Sequence, residues 1–244
     1  VGGVEIKRSE FDSNLLSREV GKLSLASLTP EVLTEVISDF REGSLDLVML
    51  KSPFIPLHVI AGLALDGPDY KLSLSDIKLD LCRGSKEPHS AGAGLGNYSF
   101  STDTTLKDLE SIQLIARQIG RVSRFADEFG ESVADSLYDQ WVSNLLSKET
   151  IYVAREAASS VSAVVATTKS EASVDLALVS AHPSHSGKGV TKALVNFATA
   201  ELLKETPLVT VSARINNIPA VKLYESAGFR SYGVRMDWTL TKKK

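Results

Sequence analysis

Val179-Ser-Ala-His-Pro-Ser-His-Ser-Gly-Lys-Gly-Val-Thr191 is the stretch on which the fold of this 244-residue chain turns. Its first residues close an apolar run that reads as a strand, its middle is a glycine loop, and its end opens an amphipathic helix expected over about 190–204. Gly187 and Gly189 let the backbone approach a ligand closely. The loop and the first helical turn leave several N–H groups without intrahelical partners. Together with the positive end of the helix dipole and the charge of Lys188, those donors suit a pyrophosphate. Spacing excludes two familiar phosphate motifs, because the chain has neither a Gly-x-x-x-x-Gly-Lys-Ser/Thr loop nor a full Gly-x-Gly-x-x-Gly.

Upstream, three β-rich runs at 151–155, 161–167 and 173–179 follow one another closely, which predicts an antiparallel meander rather than a doubly wound parallel sheet. Two helices are expected before them. The first, over 105–119, puts Leu106, Leu109, Ile112, Ile115 and Ala116 on one face; the second, over 132–146, carries Val133, Leu137, Trp141 and Leu145 at intervals of four. Downstream lie a strand at 208–213, a helix at 218–227 and a last strand near 232–240. Glycines and serines crowd the segment from Gly84 to Asn97, and this core-poor seam divides the chain. The expected organisation is an N-terminal α/β domain over 1–88, a linker over 89–96 and a second domain over 97–244. In the first domain a strand at 20–25 precedes a helix with Thr29 as N-cap and Pro30 in its first turn, and strand-like runs follow at 45–50 and 77–81.

Composition narrows the classes. With 43% hydrophobic and 23% charged residues, collagen-like and disordered chains are excluded. The 27 basic and 30 acidic side chains give a net charge of −3 without a clustered basic field, so nucleic acid is not an expected partner. Cys82 is the single cysteine, which excludes an intramolecular disulfide and a cysteine-based zinc site; its strand-like neighbours make it a packed thiol, and no metal is expected. The most apolar window, 53–65, is interrupted by Pro56, His58 and Gly62 and is shorter than the ~18–20 residues of a membrane span. No signal peptide is legible, and a cytoplasmic protein without a membrane partner is the expectation.

A second informative segment is Asn217-Ile-Pro-Ala220-Val-Lys-Leu-Tyr224-Glu-Ser-Ala-Gly228-Phe229. Asn217 is a good N-cap, Pro219 is tolerated in the first turn and Gly228 terminates the helix. Ala220 and Tyr224 are four apart, so with Asn217 they line one face, a small residue beside a phenol forming a slot. Taken alone, Tyr224 reads as a core tyrosine with a satisfied hydroxyl.

In this order and at this separation the two segments resemble the GNAT superfamily of acyl-CoA-dependent N-acetyltransferases. The family's Arg/Gln-x-x-Gly-x-Gly/Ala loop falls on Ser186 to Thr191, and its Asn-x-x-Ala-x-x-x-Tyr-x-x-x-Gly-Phe helix falls on Asn217 to Phe229. The second match is complete. In the first, Ser186 replaces the usual Arg or Gln and Thr191 the usual small residue, so pyrophosphate binding rests on backbone donors. The resemblance implies a GNAT fold, α/β (α+β) with a mixed, largely antiparallel central sheet, and direct acetyl transfer from acetyl-CoA through a tetrahedral intermediate. It assigns Val179, Ser180 and Ala181 to the thioester and pantetheine, Ser186, Gly187, Lys188, Gly189, Val190 and Thr191 to the pyrophosphate, and Asn217, Ala220 and Tyr224 to the cofactor. Tyr224 would protonate the departing thiolate, and a homodimer is a family expectation.

A narrower resemblance concerns the acceptor. Ser123-Arg-Phe125, Tyr138-Asp-Gln-Trp141-Val-Ser-Asn144 and the opening Phe11-Asp-Ser-Asn-Leu-Leu look like the TDP-fucosamine type of nucleotide amino sugar acetyltransferase. It implies Arg124 at a nucleotide diphosphate and Trp141 at the acceptor. Separately, His182 beside the acceptor strand is a candidate for taking the amine proton, though the residues do not identify the base. Against this stand a surface charge for Arg124, core packing for Trp141 and a solvated loop histidine for His182. The expected acceptor is a small-molecule amine, first a dTDP-amino-deoxy sugar. A protein N-terminus, a lysine or an amino acid, and a CoA-binding regulatory domain without turnover, are the alternatives.

Overall fold

The computed structural model describes residues 5–85, 95–156 and 160–243. In chain order its elements are β1 (Lys7–Arg8), α1 (Glu10–Leu16), β2 (Val20–Ser24), α2 (Pro30–Glu42), β3 (Leu47–Pro53), α3 (Leu57–Ile60), β4 (Tyr70–Gly84), β5 (Tyr98–Ser101), α4 (Leu109–Gly120), α5 (Arg124–Phe129), α6 (Glu131–Lys148), β6 (Ile151–Glu156), β7 (Val161–Lys169), β8 (Val174–Ala181), α7 (Val190–Leu202), β9 (Leu208–Arg214), α8 (Ile218–Ser226) and β10 (Arg230–Lys242). They form a mixed α/β fold, as expected. The chain divides into two compact units, residues 1–79 with 233–244 and residues 80–232. This division differs from the one composition suggests, since the end of the last strand belongs with the N-terminal residues. Of the expected linker, 89–94 lies outside the described residues.

In the first unit, Thr29 caps α2 by accepting the Val32 N–H at 3.3 Å, and Pro30 sits in the first turn where its missing N–H costs nothing. Leu33, Val36, Ile37 and Phe40 recur at helical spacing and are buried. That apolar stripe makes α2 the crossover between β2 and β3, which pair in parallel. The strand order is β1-β2-β3-β10-β4, with β10 antiparallel to β3. One core results, in which Leu33, Phe40, Leu50, Leu72, Trp238 and Leu240 meet.

In the second unit the expected meander is present. β5, β6, β7 and β8 pair antiparallel in sequence, and β9 then joins β8 in parallel after the crossover through α7. The strand order is β4-β9-β8-β7-β6-β5. Helices α4 and α6 bury Ile112, Ile115 and Ala116 and Ala134, Leu137, Tyr138, Val142 and Leu145 respectively. Arg117 donates a fork of hydrogen bonds to Asp139 between them. Three of the expected core positions differ as follows. Leu106 lies in a short 3-10 turn ahead of α4 and is 87% exposed, because the tighter winding rotates it off the α4 stripe. Val133, at the start of a row that drifts by about 40° per step around the helix, and the bulky Trp141 are only half-buried, although Leu137 and Leu145 on either side of Trp141 are buried. No helix among the described residues is long and apolar enough to cross a membrane.

Candidate active site

The site follows from the way β8 leaves its neighbour. β8 pairs with β7 along its whole length, from Val174 opposite Lys169 to Ala181 opposite Ala163. With β9 it pairs only at its start, Val174 opposite Val209 and Asp175 opposite Thr210. From Leu176 to Ala181 no strand pairs with that edge among the described residues, so the parallel strands part into a wedge. The register on β7 shifts there too: Thr167 faces Leu176 and Ala166 faces Leu178, which leaves Ala177 as the extra residue of a bulge. At the apex, the Thr210 hydroxyl donates to Asp175 at 2.9 Å. Val179, Ser180 and Ala181 thus lie along the open edge, where backbone N–H and C=O groups are available to an extended ligand.

The loop after β8 is shaped by local bonds. His182 donates its N–H to the Ser162 carbonyl at 2.8 Å, while its Nδ1 takes the Ser184 N–H and pairs with the Ser184 hydroxyl at 2.7 Å. His182 therefore caps the 3-10 turn Pro183–His185 rather than standing free for an acceptor. Ser186 is extended, and Gly187 and Gly189 take φ of 74° and 80°, the left-handed region that glycine occupies without penalty. Neither glycine N–H donates to a backbone group among the described residues. Gly189 is the N-cap of α7 and provides no side-chain cap, so the donors of the first turn at Val190, Thr191 and Lys192 remain. The Val190 side chain is buried and contributes only its backbone; Lys188 is exposed. Gly189→Val is expected to weaken acetyl-CoA binding about tenfold or more through the ~1–2 kcal/mol cost of a left-handed non-glycine residue, measured by calorimetry.

On α8, Asn217 caps the helix by accepting the Ala220 N–H at 3.2 Å, which leaves its own amide N–H groups for a ligand; Ala220 is half-buried. Tyr224 is 6% exposed and packs edge-on against Phe229. Its hydroxyl makes no hydrogen bond among the described residues, unlike a core tyrosine with a satisfied hydroxyl. Burial first, and then the Asp175 carboxylate, push the phenol well above its ordinary range, so it holds its proton at neutral pH. Asp175, whose charge acts on the phenol, is the carboxylate that the Thr210 hydroxyl meets at the apex of the wedge.

The donor set fits acetyl-CoA. Backbone N–H groups at a helix N-terminus suit the diphosphate, an open strand edge suits the amide-bearing pantetheine arm, and the buried Tyr224 phenol keeps a proton to give. The remaining expected residues fare differently. Arg124 is 8% exposed and lies over the Phe125 ring at 4.8 Å, so it is neither a solvated charge nor an arm reaching into an open site. Trp141 packs its edge against Tyr138 on α6. One group escaped the sequence reading: His185 Nδ1 pairs with the Tyr98 hydroxyl at 2.7 Å and lies 3.8 Å from Glu156. Tyr98 stands 87 residues away on a four-residue strand, and no local pattern signals such a pair. Among the described residues no group of His, Cys, Asp and Glu is arranged to hold a metal ion.

Comparison with known proteins agrees with this geometry. Residues 147–231 match the family model of the acetyltransferase (GNAT) domain. No curated protein matches the sequence. Among solved structures, a GCN5-related N-acetyltransferase from Sphaerobacter thermophilus is similar, with 12% identity and a TM-score of 0.60 over 87% of this chain and 65% of that chain. A conserved protein of unknown function from Staphylococcus epidermidis has 10% identity and a TM-score of 0.65, covering 100% of this chain and 93% of that one. A GCN5-related glucosamine N-acetyltransferase region of a fungal multi-domain GH3 β-N-acetylglucosaminidase has 13% identity and a TM-score of 0.56, covering 96% of this chain and 31% of that one. At these identities the likeness is one of fold.

Proposed function

We propose that this chain transfers the acetyl group of acetyl-CoA to the primary amine of a small molecule. Residues 147–231 carry a GNAT acetyltransferase domain, and such domains use acetyl-CoA. The observation that carries the reading is the parting of β8 from β9 beyond Asp175, with the glycine loop following the open end of β8. In this reading the strand edge at Val179 to Ala181 orients the pantetheine arm by backbone hydrogen bonds. The N–H groups of Gly187 and Gly189 and of the first α7 turn hold the diphosphate, with Lys188 adding charge at the rim. The supplied group is a thioester, reactive toward an uncharged amine. Tyr224 would supply the proton that the departing thiolate takes up, while the amine nitrogen would lose one of its own to solvent.

For the acceptor, a dTDP-amino-deoxy sugar is the first choice. It draws on the short matches at 123–125 and 138–144, and on the amino sugar named for the fungal structural neighbour. Buried Arg124 would serve such a site by holding α5 rather than by touching the phosphates. The test is release of free CoA thiol from acetyl-CoA in the presence of free amines, peptides and nucleotide amino sugars. Release with the amino sugars above all other acceptors is the expected result; release with peptides alone would replace the acceptor, and binding of CoA without release in any mixture would overturn turnover itself.

A further inference from the structure

The second unit holds a cavity of about 470 Å³ at the end of β8 remote from the glycine loop, where Val174 rather than Ala181 contributes to the wall. Its floor is aromatic. Tyr152 on β6 meets Phe197 on α7 edge-on at 6.1 Å, and Phe197 in turn stacks on Phe100 at 5.6 Å. Its rim is acidic: Asp103, Glu149, Glu201 and Glu205 face only Lys169 and Lys204, and Lys204 is held to both oxygens of Glu201 at 2.7 Å. The last turn of α7 borders the cavity, and the partial negative charge of a helix C-terminus adds to the field.

Tyr152 points to a ligand. It is 5% exposed, yet its hydroxyl makes no hydrogen bond among the described residues. Burial, with Glu201 and Glu205 nearby, raises its phenol above the ordinary range, so the group stays neutral and faces those carboxylates. The ring is packed away while the hydroxyl, which no protein group takes up among the described residues, opens on the cavity where a ligand can reach it. No three carboxylates among the described residues converge as a metal site would require. Their charges are instead spread around an apolar floor, which a compact ion cannot satisfy and a long cation can.

We infer that this cavity binds an aliphatic polyamine, with one ammonium between Glu201, Glu205 and the Tyr152 hydroxyl and its methylene chain lying over Phe197 toward Glu149. Ammonium groups give charge-assisted hydrogen bonds to carboxylates and sit favourably at aromatic faces, while methylenes gain from the apolar floor. Lys204 competes for Glu201 in the free protein. The site is separate from the wedge, and binding there is independent of acetyl transfer.

Calorimetric titration of the full chain with spermidine, at low and equal ionic strength, tests this. Saturable binding is expected, weakened about tenfold by Glu205→Gln and by Glu201→Gln and severalfold by Tyr152→Phe, as loss of a charge-assisted or a neutral hydrogen bond implies. Lys204→Met is expected to tighten it severalfold, a gain that misfolding does not produce. Magnesium chloride at matched charge should not displace spermidine. Absence of saturable binding up to about 5 mM spermidine, a range that reaches millimolar dissociation constants, overturns the inference. So does equal affinity in the carboxylate variants, or displacement by magnesium, which would mark the rim as a diffuse counterion field.

Discussion

Tyr224→Phe is expected to cut kcat about 100-fold or more while the affinity for acetyl-CoA stays nearly constant. The variant keeps the ring that packs against Phe229 and removes only a hydroxyl that has no hydrogen-bond partner among the described residues. The fold therefore has little reason to weaken. What disappears is the proton that the buried phenol keeps. Burial and Asp175 favour the neutral phenol, which makes it a donor to a thiolate and a poor base for an ammonium. Steady-state kinetics alongside calorimetric acetyl-CoA binding checks the split. An unchanged kcat would return Tyr224 to the core; a fall in affinity matching the fall in rate would make it a binding residue.

The second large effect concerns the first unit. Trp238→Ala is expected to remove about 3–5 kcal/mol of stability, the range for truncating a large buried aromatic side chain. Trp238 is 1% exposed, faces Leu50 across the β10–β3 pair, and donates its indole N–H to the Ser52 hydroxyl at 3.0 Å. Truncation leaves both a cavity and a hydroxyl that has lost its donor. Urea denaturation followed by far-UV circular dichroism measures it, and a loss below about 1 kcal/mol would mean that the site collapses around the smaller side chain.

The site was legible in the sequence wherever its signal was local. Gly187 and Gly189 announced a loop ahead of a helix, Asn217 announced a cap, and the closely spaced β-rich runs announced a meander; each is realised. The wedge itself was not legible, because it depends on where β9 stops pairing with β8, a matter of register between strands more than thirty residues apart. Short elements escaped as well. Tyr98-Ser-Phe-Ser101 is too brief to show alternation, and Arg124–Phe129 is a helix of little more than one turn, capped by the hydroxyl of Ser123. Arg124 shows why a charge is a poor guide to exposure: its guanidinium sits over an aromatic ring, which repays part of the cost of leaving water.

The placement of β10 has a consequence for biosynthesis. In the first unit this strand lies between β3 and β4, so residues 1–79 alone leave two strand edges without their shared neighbour. The ribosome makes all of residues 80–232 before supplying it, roughly ten to thirty seconds at ordinary elongation rates. During that interval residues 1–79 are still waiting, while residues 80–232 have all been joined to the chain. A nascent chain halted near residue 232 should thus expose the β3 and β4 edges to chaperones or to like chains.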